Sequence, residues 1–555
     1  MTTTRHPHSF EDLPASAPRF VGKQVHRVED PHLVTGRTPF IDNLTEPGLL
    51  HCAFLRSPYA HARIKSIDTS KAEKLPGVVA IVTGEDAKAM TNPIPSVPEG
   101  WGDYCLPPDK VRFVGEPVAA VAAESRYIAE DALELIEVEY EPLPVVVDAR
   151  KAIEPDAPLL FEEHGSNVML AKNFEWGDLE RTFAEADHVF TERLRWHRLG
   201  ANPMETFGVI SKWDPVDGSL TCWAAVQSQS HAAMGIATVL GIPSHKMRVI
   251  AQPHGGSFGG KGGFRGSFVT AMLSRKTGGR PIKWTEDRME YLVAGGSQSW
   301  DRHYEVSLAV KNDGTITGLK VELLDDLGAT AEGFGSISAA KPLASFVGCY
   351  AIGAAGYDLK IVATNKLFSS PYRGMGPPPH NCVLEMAVDV AARGLGMDPA
   401  EIRRKNFIAP DAFPYTIPSG NEYDSGNYHA MLDRALEISN YAELRRKQEE
   451  ARKEGRYLGI GVVTTIEPGV FDWNAYAIVG MPLTGVPEGV TIGFDMLGKI
   501  TARIGFAHEG QGQFTLISQV LADYFGVDMS DVHVIQQDSL SAPPHFGPGG
   551  SRLGV

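Results

Sequence analysis

Cysteine is scarce. Five residues in 555 (Cys52, Cys105, Cys222, Cys349 and Cys382) are all far apart, with no C-x-x-C pair. That spacing excludes an iron–sulfur cluster built by this chain alone and predicts small buried side chains in a reducing compartment. Positive charge is in deficit: 52 Lys and Arg stand against 68 Asp and Glu, a net charge of −16. A field of that sign repels nucleic acid and anionic membrane, so neither is an expected partner. Long apolar runs are missing too. No stretch approaches the roughly 20 apolar residues that span a bilayer. Met1 to Val21 is polar and lacks the apolar core of a secretory signal, so the expected location is cytoplasmic.

Glycine is plentiful, with 57 residues that cluster rather than scatter. A chain of this length exceeds one hydrophobic core, and two to four domains are expected. The pattern reads as a mixed α/β (α+β) protein. An extended arm covers residues 1–35, and a first α/β unit covers 36–152. A second unit covers 165–410 and a third 430–555. Strands are expected at Leu50–Leu55, Val78–Val82, Val118–Ala122, Val145–Val147, Thr221–Val226, Met247–Ala251 and Gly459–Thr465. Helices are expected after Ser125, over 230–240 ending at Gly241, over 381–395 ending at Gly396, and over 514–525.

The chemistry concentrates in one stretch, Gln252-Pro253-His254-Gly255-Gly256-Ser257-Phe258-Gly259-Gly260-Lys261-Gly262-Gly263, between a strand and a helix. Strand, glycine loop and helix together offer bare N–H groups and a helix N-terminus to an anion. Three readings are open. Gly255 to Lys261 fits G-x-x-x-x-G-K, but a P-loop needs Ser or Thr next, where Gly262 stands. A tight turn without ligand is the second reading. A pyrophosphate-bearing cofactor other than a nucleoside triphosphate is the third and favoured one. Two further glycine turns follow, His508-Glu509-Gly510-Gln511-Gly512 before a helix and Gly549-Gly550-Ser551-Arg552 near the end.

Five loops in order carry a resemblance: Gln227, the glycine loop around Phe258, Tyr372-Arg373-Gly374-Met375-Gly376, Glu509-Gly510-Gln511-Gly512 and Gly550-Ser551-Arg552. Together they resemble the molybdopterin-binding large subunit of the xanthine dehydrogenase, aldehyde oxidase and aerobic carbon monoxide dehydrogenase family. Gly115-Glu116-Pro117-Val118 resembles the turn into a strand of that family's hammerhead domain. Asn365-Lys366, Asp398-Pro399 and Arg403-Arg404-Lys405-Asn406 match its usual surroundings of the arginine loop. The resemblance implies an N-terminal hammerhead-like domain followed by molybdopterin-binding domains, the last incomplete. It implies molybdopterin, as the cytosine dinucleotide, with molybdenum held by the pterin dithiolene and not by side chains. Cofactor contacts are implied for Gln227, Gly256, Phe258, Gly259, Arg373, Gly374, Gly510, Gln511, Gly512, Ser551 and Arg552, and substrate contacts for Gly262, Lys341 and Met375.

The departures narrow the substrate. Copper-type carbon monoxide dehydrogenases carry cysteine where Gly374 stands. Xanthine-oxidising members carry glutamate where Gly262 stands, an aromatic where Met375 stands and arginine where Lys341 stands. A stacked and charge-clamped purine is therefore not expected. The implied reaction hydroxylates a C–H carbon of an aldehyde or heteroaromatic, with water as oxygen source. Its general-base glutamate is expected outside this chain, since Glu205 resembles a structural acid and Glu509 belongs to the pterin loop. The implied partners are an iron–sulfur subunit, a FAD subunit and a chain supplying the rest of the last molybdopterin domain. A metal-free scaffold paralogue is the rival expectation.

Overall fold

A computed structural model of the chain describes residues 18–262, 264–295, 298–333, 335–467 and 488–554. Gly263 and the first 17 residues of the expected arm lie outside the described residues.

The strands that build the site, in chain order, are β1 (Leu50–Arg56), β2 (Val78–Thr83), β3 (Pro117–Ala123), β4 (Val168–Trp176), β5 (His188–Trp196), β6 (Gly208–Trp213), β7 (Leu220–Ala224) and β8 (Met247–Ala251). They continue as β9 (Ile282–Thr285), β10 (Asp301–Val310), β11 (Ile316–Gly328), β12 (Ala354–Ala363), β13 (Val490–Phe494), β14 (Ile500–Ile504) and β15 (Val532–Gln536). A seven-stranded sheet runs β8-β7-β6-β9-β1-β3-β2. Its continuity rests on the parallel pairing of β1 with β9, Leu50 opposite Ile282. A five-stranded sheet runs β4-β12-β11-β10-β5, and a three-stranded one runs β13-β14-β15.

Five helices matter here: α1 (Arg126–Leu133), α2 (Gln229–Leu240), α3 (Arg265–Lys276), α4 (Pro377–Leu395) and α5 (Gln513–Phe525). Their boundaries follow from local chemistry. Ser125 accepts from the Ile128 N–H at 3.2 Å and starts α1. Gly241 and Gly396 take left-handed conformations and end α2 and α4. α4 begins at Pro377, earlier than expected, because prolines in a first turn lack only N–H groups that the helix does not use. The core of the seven-stranded sheet lies against α2 and α3, where Val209, Ala224, Val239, Met272 and Leu273 are fully buried. β3 is buried along all seven residues, and its alanines let neighbours close on both faces.

Three expectations fail. Val145–Val147 forms no strand: Pro142 and Pro144 flank it, and the Val146 N–H donates to Asn365 Oδ1 at 2.9 Å. Gly459–Thr465 alternates in exposure but forms no strand, and the Thr464 N–H goes to the Glu385 carboxylate at 2.9 Å. The arm is no extended segment throughout, since Asp30–Val34 is a short helix.

That arm is tied to the far end of the chain. The Asp523 carboxylate accepts from the N–H groups of Arg19, Phe20 and Val21 at 2.9, 3.1 and 2.7 Å. Glu29 caps α5, whose own N-cap is Gly512: Oε1 accepts from the Phe514 and Thr515 N–H groups at 2.9 and 3.2 Å, and Oε2 from Thr515 Oγ1. A carboxylate at a helix N-terminus is stabilised by both hydrogen bonds and the dipole. Glu29→Ala is therefore expected to raise hydrogen exchange at Phe514 and Thr515 about fivefold, the equivalent of about 1 kcal/mol, read by exchange mass spectrometry. Unchanged exchange there would refute the cap.

Candidate functional site

Four helices begin at one place. β7 leads to Gln227 and α2, where Ser228 accepts from the His231 N–H at 3.2 Å. β8 leads through the glycine stretch to α3, residues 371–376 lead to α4, and Gly510–Gly512 leads to α5. The loops before all four helices line one cavity of about 470 Å³, closed by residues 546–551. Each helix N-terminus carries partial positive charge, so the converging set favours an anionic, acceptor-rich ligand, while α4 opens on Pro377-Pro378-Pro379 and offers its dipole without first-turn N–H groups.

Of the sequence candidates, Gln227, Gly256, Phe258, Gly259, Gly262, Lys341, Arg373, Gly374, Met375, Gly510, Gln511 and Ser551 reach this cavity. Gly512 and Arg552 do not line it. Arg552 ion-pairs with Glu488, donates to Gly547 O and Gly549 O at 2.9 and 2.7 Å, and covers the Phe546 ring, which fixes the last loop.

The backbone is strained where the loops meet. Among the described residues, five non-glycines have positive φ, and three of them, Phe258 (54°), Met375 (38°) and Ser551 (58°), line the cavity. Such conformations cost about 1–3 kcal/mol each and collect at functional sites. Phe258 is also 43% exposed, unusual for its size. Two glycines are obligatory. A Cβ on Gly259 (φ 98°) would lie 2.4 Å from Pro371 O, and one on Gly547 would lie 2.3 Å from Gln227 O. The Arg373 N–H donates to Phe258 O at 2.8 Å and locks two of the loops together.

Two carboxylates cross-link the loops. Glu509, 7% exposed, accepts from Ser257 Oγ and from the amides of Gln227 and Gln511, each at 3.4 Å. His254 Nε2 lies 3.6 Å away. Burial alone would push the Glu509 carboxyl up, but His254, Ser257 and Gln511 outweigh it and hold it below its ordinary value. Glu205 pins the glycine stretch from behind, accepting from the Gly255 N–H and from Lys261 Nζ, both at 2.9 Å. Burial lowers the proton affinity of Lys261, against the pull of Glu205. The P-loop reading fails on this geometry, because the Lys261 ammonium is fully buried and committed to Glu205. Neither cross-link was legible from spacing: Ser257 and Glu509 are 252 residues apart.

A second cavity of about 380 Å³ adjoins the first and shares His231, Gly262, Phe264 and Pro371 with it. Its walls include Phe54, Phe207, Phe268 and Trp284. Glu286 stands on this wall, 3% exposed, and burial pushes its carboxyl up to about 8. No residue pattern announced this cavity; it forms where β1, β9, α2 and α3 meet.

The donor set fits a large anionic cofactor. The amides of Gln227 and Gln511, the main chain of the glycine loops and four helix N-termini surround the cavity. Comparison with known proteins agrees. Residues 160–407 and 434–554 match the molybdopterin cofactor-binding domain, and residues 35–144 match the aldehyde oxidase and xanthine dehydrogenase hammerhead domain. The carbon monoxide dehydrogenase large chain of Afipia carboxidovorans is 36% identical over 99% of this chain and 70% of its own length. The nicotine 6-hydroxylase large subunit of Paenarthrobacter nicotinovorans is 33% identical over 99% of this chain and 68% of its own. Among solved structures, quinoline 2-oxidoreductase from Pseudomonas putida 86 superposes with a TM-score of 0.90 at 34% identity, covering 97% of this chain and 69% of that one.

Two outcomes are expected. Lys261→Met strands the Glu205 carboxylate and should destabilise the chain by at least about 2 kcal/mol, and adding Glu205→Gln should restore part of it; a melting series reads both. For Glu286 the folded carboxyl titrates above its ordinary value of 4.5, at about 8. Its contribution is full below pH 4.5 and is lost as pH rises through 8. Glu286→Gln should flatten that part of the stability–pH curve, and an unchanged slope would contradict the assignment.

Proposed function

This chain belongs to the molybdopterin-binding large-subunit family of the molybdenum-dependent dehydrogenases and oxidoreductases, and from that premise we propose that it is the subunit that hydroxylates a C–H carbon of a heteroaromatic or aldehyde substrate with water as oxygen source. The observation that carries the reading is the meeting of Gln227, Phe258, Arg373–Met375, Gly510–Gln511 and Ser551 around one cavity at four helix N-termini. The bound molybdenum cofactor, as the cytosine dinucleotide, would supply oxygen transfer and a two-electron acceptor.

The residues of this chain would bind and orient. Main-chain N–H groups of the loops before α2, α3 and α5 would hold the pterin and the pyrophosphate, and the dipole of α4 would add positive potential. The Gln227 amide would donate at the metal end, and Glu509 would keep Gln227 and Gln511 in register. Phe258 and Met375 would shape the substrate side and exclude water. Lys341 sits on the same wall, 5% exposed, its proton affinity lowered by burial and partly restored by Glu467. It would donate to a ring nitrogen or carbonyl oxygen.

Gly374 carries no sulfur, which sets the chain apart from copper-dependent carbon monoxide oxidation despite its similarity to that enzyme's large chain. The similarity to a nicotine hydroxylase and a quinoline oxidoreductase favours a heteroaromatic. Electrons would leave through [2Fe–2S] and FAD groups on companion chains. A cytoplasmic location belongs to the same proposal.

The test is the native complex, isolated through this chain from its own host, with molybdenum, pterin, iron and flavin quantified and every chain identified by mass spectrometry. One pterin per chain is expected, falling at least about tenfold in Gly259→Leu and in Glu509→Leu. Stoichiometric pterin in both variants would refute the placement. A metal-free and pterin-free native complex would leave the scaffold reading standing.

A further inference from the structure

None of Gln227, Phe258, Arg373, Gly510 and Gln511 lines the second cavity. It lies on the other side of Gly262, between α2, α3 and the first sheet. Its volume of about 380 Å³ falls in the range of small-molecule sites, about 300–1,000 Å³. The walls are aromatic and made to last. Trp284 meets the Phe54 ring edge-on at 4.8 Å between centroids and the Phe207 ring at 5.9 Å. It also packs so tightly on α3 that a Cβ on Gly266 would lie 2.2 Å from its ring.

The polar groups on the walls are neutralised within the chain. The Arg56 guanidinium pairs with Glu290 at 2.9 Å, and that of Arg265 pairs with Glu332. His231, on the partition, stacks on Phe546 and meets the Phe264 edge, and burial lowers its proton affinity to about 4, so it is uncharged at neutral pH. Glu286 keeps its proton there through burial. An ion gains nothing from such a lining, whereas a neutral aromatic gains apolar burial and edge contacts.

The partition itself is thin. Where a side chain at position 262 would stand between the two cavities, glycine leaves space: an added Cβ meets nothing nearer than Gly259 O at 3.8 Å. The outer lip is formed by Met234 and Thr238, both exposed on α2. We propose that the second cavity is a chamber that seats the apolar, non-reacting ring of a planar aromatic substrate, while the reacting carbon faces the cofactor cavity past Gly262. This deepens the hydroxylase reading and rests on it for the identity of the ligand as substrate. The chamber selects neutral fused-ring substrates over charged ones.

Naphthalene is the probe, since it presents planar apolar rings without a reactive group. Equilibrium dialysis with the native complex should show one saturable site per chain. Gly235→Leu, which fills the chamber from α2, and Met234→Glu, which charges its exposed lip, should each weaken naphthalene binding by at least about tenfold. The lip variant changes a residue 47% exposed, so folding is kept there even if the filled chamber does not fold. Absence of a saturable site, or equal affinity in the wild type and Met234→Glu, overturns the chamber. The two readings fail separately. Saturable, lip-sensitive binding in a complex without molybdenum keeps the chamber and removes the hydroxylase, and molybdenum without such binding does the reverse.

Discussion

Four helix N-termini facing one cavity impose the constraint on which the site depends. Their partial positive ends repel one another, so bringing α2, α3, α4 and α5 together costs energy until an anion sits among them. The chain supplies one such anion itself. Glu509 lies buried between the loops of α2, α3 and α5, accepting from Gln227, Ser257 and Gln511, with its carboxyl held below its ordinary value. A carboxylate so fully engaged works as a cross-link and not as a proton acceptor. Glu205 does the same from behind the glycine stretch with Gly255 and Lys261. Tight loops are then possible only with glycine at Gly259 and Gly547, and the remaining strain falls on Phe258, Met375 and Ser551.

Much of this was legible in the sequence because it is local. Caps at Ser125, Gly241 and Gly396, and the strand-loop-helix order around Phe258, are set by neighbours within a few residues. The family follows from five loops in order, and twelve of the candidate site residues reach one cavity. What escaped is long-range. Glu29 capping a helix 485 residues away leaves no trace in spacing, and neither does Ser257 bonding Glu509. Val145–Val147 read as a strand because its residues have the right propensity, yet its N–H at Val146 is claimed by a side chain from residue 365. The second cavity is likewise a product of packing between segments that no motif connects.

On the proposed reading the two cavities would divide the labour of one site. The side bounded by the glycine loops joins main chain and amides to the charged Lys341, Arg373 and Glu509, a lining that suits a large polar ligand. The other side is built from rings and internally paired ions, which suit a neutral one. Gly262 lines both, and no side chain stands at that position between them.

The most direct test of the central claim is an anomalous-diffraction measurement at the molybdenum edge on crystals of the native complex. The account predicts one peak per chain inside the cavity bounded by Gln227, Phe258 and Gly374. A full peak elsewhere, or none while these loops keep their arrangement, would contradict it.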